Sequence, residues 1–230
     1  MIDWEGSLAR FTQRSEWPTF VCRPRGIWIS ELFAFAAWAW ALGIDCIVES
    51  GIAHGQSTDI LRQCFSRVYS IDHAVMPDVA ARLIRDGVQV SSADAHVVLM
   101  PIVEQLVAAG YHTAVLLDGP KGEPAVELGL RCLDHGAVFF AVHDTYCCAE
   151  APNAVRARLE AEGRSPRWAW STDDASFVRA FSYLDARVVY LDEAGNGKSP
   201  FLLHHHGRDI PMESYGPTLT LLFPTVPHGA

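Results

Sequence analysis

The stretch CIVESGIAHGQSTD, Cys46 to Asp59, decides how the rest of the chain is read. It begins apolar, ends that run at Glu49, passes two glycines, Gly51 and Gly55, and at once offers Gln56, Ser57 and Thr58 to a helix start. A turn that only redirects the chain needs about one glycine. Two let backbone approach something closely, and an acid at a strand end offers an acceptor to a hydroxyl or an ammonium group. The stretch is read as a small-molecule cradle between a strand and a helix.

Outward from this point, strand-like and helix-like segments alternate at short spacing, the pattern of a parallel sheet covered by helices. CIVES, RVYSID, VQVSS, TAVLLD and AVFFAVHD are the first five expected strands, and RVVYLD and LTLLFP the last two. Helices are expected near 56–65, 77–85, 97–109 and 124–134. Pro77 and Pro124 suit a first helical turn, while Gly87, Gly110 and Gly136 follow the helical runs as stop signals. A helix is also expected at 153–162, and Thr172 to Asp174 are placed to cap another running to Tyr183. The fold class expected is α/β: a doubly wound, mostly parallel seven-stranded sheet with an antiparallel last strand and an N-terminal helical extension. Residues 1–43 form the helical cap and 44–230 the sheet domain.

Composition narrows the function. Of 230 residues half are hydrophobic, and the formal net charge of -9 argues against nucleic acid, which needs Lys and Arg to displace counterions from phosphates. Acids near the N-terminus, where a secretory signal carries basic residues, make the cytoplasm the expected compartment. The most apolar run, IWISELFAFAAWAWALG, is short for a bilayer and contains Glu31, so a buried or subunit-packing helix is expected rather than a membrane contact. The six cysteines show no zinc-like pairing and are expected to be reduced. The run His204 to His206 lies in a long polar loop and carries no metal assignment.

In open parallel sheets ligands bind beyond the carboxyl ends of the strands. Glu49, Asp72, Asp94, Asp118 and Asp144 each fall at or just after an expected strand end. Asp72 comes about twenty residues after the glycine turn, where a carboxylate can accept both hydroxyls of a ribose. Asp94 faces an adenine amino group or caps the next helix. The turn itself has GxxxG where a dinucleotide fingerprint has GxGxxG, and its nearby carboxylate favours a ligand bearing an amino-acid group over a pyrophosphate.

These residues resemble a known family. VESGIAHGQST is similar to the first motif of class I S-adenosylmethionine-dependent methyltransferases, YSIDHA to their second, and VLLDGPKG and FFAVHDTY fall where the fourth motif and the end of the fifth strand belong. SYGPTLTLLFP corresponds to the last strand, reached after an antiparallel hairpin. The resemblance covers about residues 44 to 225. It implies a Rossmann-like fold and S-adenosylmethionine as cofactor. Glu49, Gly51, Ala53, His54 and Gly55 would border its methionine part, with Ser57 and Thr58 opening the helix beside it. Asp72 with His73 would meet the ribose, Asp94 with Ala95 the adenine edge, and Asp118 the reacting end.

DGPKG resembles the catechol O-methyltransferase branch, in which the Asp binds magnesium and the Lys takes the acceptor's proton. That likeness assigns Asp118 and Lys121 to catalysis, and Asp118, His143 and Asp144 to a site for Mg²⁺ or another divalent metal. The cephalosporin-hydroxylase-like and macrocin O-methyltransferase-like branches carry acidic pairs where this chain has His143-Asp144. Imidazole in place of a carboxylate suits magnesium less well, and without metal His143 becomes the expected proton acceptor.

The activity implied is methyl transfer to an oxygen, with a nitrogen as the alternative acceptor atom, of a small molecule. The alternatives are a nicotinamide-dependent oxidoreductase, a metal-dependent hydroxylase-like enzyme and a non-catalytic member of the fold. The Trp-rich helix either covers the sheet or packs on a second subunit, so a homodimer is among the expected states.

Overall fold

The computed structural model describes residues 2–14, 27–120, 123–143, 168–172, 174–181, 184, 202–205, 208–211 and 219–225. Two helices, α1 (Trp4–Arg14) and α2 (Ile29–Ala41), precede an alternating series: β1 (Cys46–Ser50), α3 (Gln56–Cys64), β2 (Arg67–Asp72), α4 (Pro77–Arg85), β3 (Gln89–Ser92), α5 (Ala95–Ala108), β4 (Thr113–Leu117), α6 (Glu123–Asp134) and β5 (Phe139–Val142). Then come β6 (Trp168–Ser171), α7 (Ala175–Phe181), the hairpin β7 (Leu202–His205) and β8 (Arg208–Pro211), and β9 (Thr220–Phe223).

Seven strands form one sheet in the order β3-β2-β1-β4-β5-β9-β6, and among the described residues β7 pairs with β8 alone. The first five run parallel, while β9 lies antiparallel to both β5 and β6. That inserted antiparallel strand departs from the 3-2-1-4-5-6 order of dinucleotide-binding sheets. The sixth sheet strand is Trp168–Ser171, a segment not expected to be a strand. RVVYLD, at 187–192, lies outside the described residues, as does the helix expected at 153–162.

Alternation along each strand divides the interior in two. Ile47, Leu116, Phe139, Ala141 and Phe223 face α1 to α4 and α7, whereas Val48, Val115, Leu117, Phe140 and Leu222 face α5 and α6. Every residue from Ile29 to Ala39 is buried, so α2 covers the sheet within a single chain. Trp38 packs against Trp168, Trp170 and Phe223, and Phe33 against Trp4, Phe177 and Phe181. Offset and edge contacts of this kind add to simple area burial. No helix among the described residues is long and apolar enough to cross a membrane. Cys46, Cys64 and Cys132 are free buried thiols, raised by burial to about 12.

Candidate functional site

The bend between β1 and α3 is built by contacts with neighbouring backbone. Gly51 has φ +105, and a Cβ there would stand 2.5 Å from the Gly119 nitrogen. The close approach that glycine permits is therefore to the end of β4. The amides of Asp118 and Gly119 both donate to the Ser50 carbonyl at 2.7 Å, fastening the two strand ends together. Gly55, with φ +75, starts α3, and a side chain there would meet Arg82, Val79 and Leu83 of α4. Arg82 also donates to the His54 carbonyl at 3.1 Å and pairs with Asp59. Ala53 takes φ +45, an uncommon conformation for a residue with a side chain.

Two carboxylates hold this bend. Glu49 shares the Ile47 side of β1, which directs it under the start of α3, and it is 0% exposed. Its oxygens accept from Ser57 Oγ and Thr58 Oγ1, each at 2.5 Å, and from Ser70 Oγ at 2.8 Å. Burial pushes its carboxyl up to about 7, with these three hydroxyls and the charge of Asp118 modulating that rise. Asp72 accepts from the backbone amides of Ile52 at 2.8 Å, Ala53 at 3.2 Å and Ala74 at 3.1 Å, while His73 Nδ1 lies 3.1 Å from it. Burial works to raise this carboxyl, but the backbone donors prevail and hold it below the usual carboxylate range.

A cleft opens above the bend, lined by Ile27, Gly51, Ile52, Ala53, His54, Gln56, Ser57 and Asp118. It lies where β1 and β4 end, the crevice expected for a ligand of an open parallel sheet. Of the expected cofactor residues, Gly51, Ala53, His54, Ser57 and Asp118 line it. Glu49 lies beneath, turned to the hydroxyls; Asp72 and His73 sit beside the bend. Asp94 caps α5 through the His96 amide at 2.9 Å, the second of its two expected roles, and Ala95 is buried in that helix's first turn.

On the acceptor side, Asp118 and His143 end neighbouring parallel strands whose last paired residues are Leu117 and Val142. Both project toward α2. His143 Nδ1 lies 2.7 Å from Asp118 Oδ1, and His143 Nε2 lies 3.2 Å from Glu31 Oε2 at ion-pair distance. Glu31 occupies the first turn of α2, and the same oxygen accepts from the Trp28 amide at 2.8 Å. The His143 side chain is 5% exposed, Glu31 0% and Asp118 19%, so Asp118 is the member that meets the cleft. Glu31 escaped the sequence reading except as an obstacle to a membrane span. A lone acid in an apolar helix requires a polar partner, which was the available signal.

Both ring nitrogens of His143 face carboxylates, Nδ1 that of Asp118 and Nε2 that of Glu31. Among the described residues no group of three or more His, Cys, Asp or Glu is arranged to hold a metal ion. Lys121 and Asp144 lie outside the described residues.

No protein-family model matches the sequence, and no curated protein matches it. Solved structures share the fold. The O-methyltransferase TomG of Streptomyces achromogenes, solved with S-adenosylmethionine, superposes with a TM-score of 0.52 over 98% of this chain and 92% of its own, at 16% identity. An O-methyltransferase from Bacillus cereus, solved with S-adenosylhomocysteine, has a TM-score of 0.47 over 96% and 90%, at 14% identity. The seven-stranded sheet, with its antiparallel strand inserted next to the edge, is thus the Rossmann-like fold that TomG also adopts.

Proposed function

We propose that this protein is an S-adenosylmethionine-dependent methyltransferase acting on a hydroxyl oxygen of a small molecule. The observation that carries this reading is the cleft between the glycine bend after β1 and Asp118 after β4. The TomG-like sheet and the inserted antiparallel β9 favour this cofactor over a nicotinamide dinucleotide. The net charge of -9 favours a small acceptor over a nucleic acid.

The bend and the first turn of α3 hold the amino-acid end of the cofactor, using amides that a helix N-terminus leaves without intrahelical partners. Asp72 holds the ribose. A carboxylate offers about four lone-pair sites, and three amides and His73 already meet them, so a ribose hydroxyl must displace one. His73, with a side chain 85% exposed, is the least costly to displace. The cofactor, once bound, supplies an electrophilic methyl group. Asp118 accepts the hydrogen bond of the acceptor hydroxyl, aligns its lone pair and takes the proton that the oxygen releases on methylation, since such transfer needs alignment and removal of a proton rather than a covalent enzyme intermediate.

Titration calorimetry and thermal shift with S-adenosylmethionine and S-adenosylhomocysteine test the assignment. Binding of both is expected. Absence of heat and of stabilisation with either at millimolar concentration overturns it.

A further inference from the structure

We propose that Glu31 is a positioning residue of the cleft: acting through a doubly protonated His143, it fixes the Asp118 carboxylate in a chain of acid, imidazolium and acid that runs from α2 to the ligand. The three residues come from three separate elements, α2, the end of β4 and the end of β5, and meet only in the folded chain. Their contacts with one another lie within the chain, so the inference goes beyond the methyltransferase reading and stands without it.

The geometry sets the proton count. His143 presents Nδ1 to Asp118 at 2.7 Å and Nε2 to Glu31 at 3.2 Å. A neutral imidazole has one N–H and one lone pair, so it would turn that lone pair on one anionic carboxylate. An imidazolium donates through Nδ1 to Asp118, faces Glu31 with Nε2 at ion-pair distance, and so places a cation between two acids, where burial makes opposite charges most dependent on one another. Glu31 is further held by the Trp28 amide, and its seat in the first turn of α2 is the end of a helix that favours negative charge. Glu49, from β1, is a further acid whose charge interacts with Asp118. This region thus gathers three carboxylates, two of them facing one imidazole.

With Nδ1 bonded to Asp118 and Nε2 facing Glu31, His143 is a strut between the two acids. The cleft meets Asp118. Glu31 governs how Asp118 points without touching the ligand.

Histidine side-chain nitrogen resonances of the ¹⁵N-labelled full chain at pH 7 test this, with His143 identified by the signals lost in His143→Gln. Two protonated ring nitrogens are expected at His143. A single neutral tautomer with one unprotonated nitrogen in the wild-type chain overturns the proposal before any Glu31 variant is made. Glu31→Gln keeps the shape and an accepting oxygen but removes the charge; it is expected to cost His143 one N–H. An unchanged His143 signature in a folded Glu31→Gln protein also overturns it, since a merely structural Glu31 would shift the unfolding midpoint and leave that signature in place. Calorimetry with S-adenosylhomocysteine on the same samples separates the two readings: failure to bind removes the cofactor assignment and leaves the nitrogen result unaffected.

Discussion

Asp118 and His143 stand side by side at the ends of adjacent parallel strands, with Oδ1 and Nδ1 2.7 Å apart. The His143 amide donates to the Leu117 carbonyl at 3.0 Å, so the sheet itself sets the spacing of the two side chains. Removing the imidazole by His143→Ala leaves Asp118 and Glu31 without the ring that stands between them. A destabilisation of about 3–5 kcal/mol is expected, the range for breaking a buried ion pair from one side. Urea unfolding at neutral pH measures it, and a loss under about 1 kcal/mol would show that the pair contributes little.

Gly51→Ala places a methyl group against the Gly119 nitrogen at a residue with φ +105. Backbone cannot swing aside as a side chain can, so a loss of roughly 3 kcal/mol or more is expected. Gly43→Ala is the control: its φ is +68 but nothing lies within 4 Å of the added carbon, and the cost is about 1–2 kcal/mol. Equal unfolding midpoints in the two variants would refute the steric account.

The order and type of β1 to β5 and α3 to α6 were legible because apolar runs, prolines at helix starts and glycines at helix ends agree with one another along that part of the chain. The strand Trp168–Ser171 was not legible. Its Trp168 and Trp170 face one side and Ala169 the other, but four residues are too few for alternation to be distinguished from a loop. Gly51 was recognised as a close-approach residue, while its neighbour, the backbone after β4, is a tertiary contact that spacing cannot reveal. The same holds for Glu31, whose histidine partner lies far along the chain. Glu49 and Asp72 were found as acids at strand ends; that they brace the bend from within depends on hydroxyls and amides brought by folding.

Glu49 gives stability a pH dependence. Its carboxyl is raised from 4.5 to about 7, so it favours the fold fully below about 4.5, and that contribution is lost as pH rises through about 7. At about 1.4 kcal/mol per pKa unit the loss reaches roughly 3 kcal/mol. Glu49→Gln abolishes this dependence, and unfolding midpoints at pH 5 and pH 8 should then converge relative to wild type. Parallel behaviour of the two proteins would mean that Glu49 is ionised throughout.

Asp72 behaves in the opposite sense. Its carboxyl is held below 3.8, so its contribution is present above that value and lost as pH falls through the folded value. Asp72→Ala leaves the Ile52 and Ala53 amides without their acceptor, for a loss of about 1–3 kcal/mol in stability. It also weakens S-adenosylhomocysteine binding by about tenfold or more, equivalent to about 1.4 kcal/mol. Undiminished affinity by calorimetry would take Asp72 out of the ligand's reach.

The chain has seven tryptophans, and five of them, Trp4, Trp38, Trp40, Trp168 and Trp170, pack into the layer between the sheet and α1 to α4. Indole emission from these five therefore reports on that side of the molecule, while among the described residues no tryptophan packs in the layer under α5 and α6. If the two layers loosen at different denaturant concentrations, fluorescence and far-ultraviolet circular dichroism will trace separate transitions, and their offset will show which half of the interior yields first.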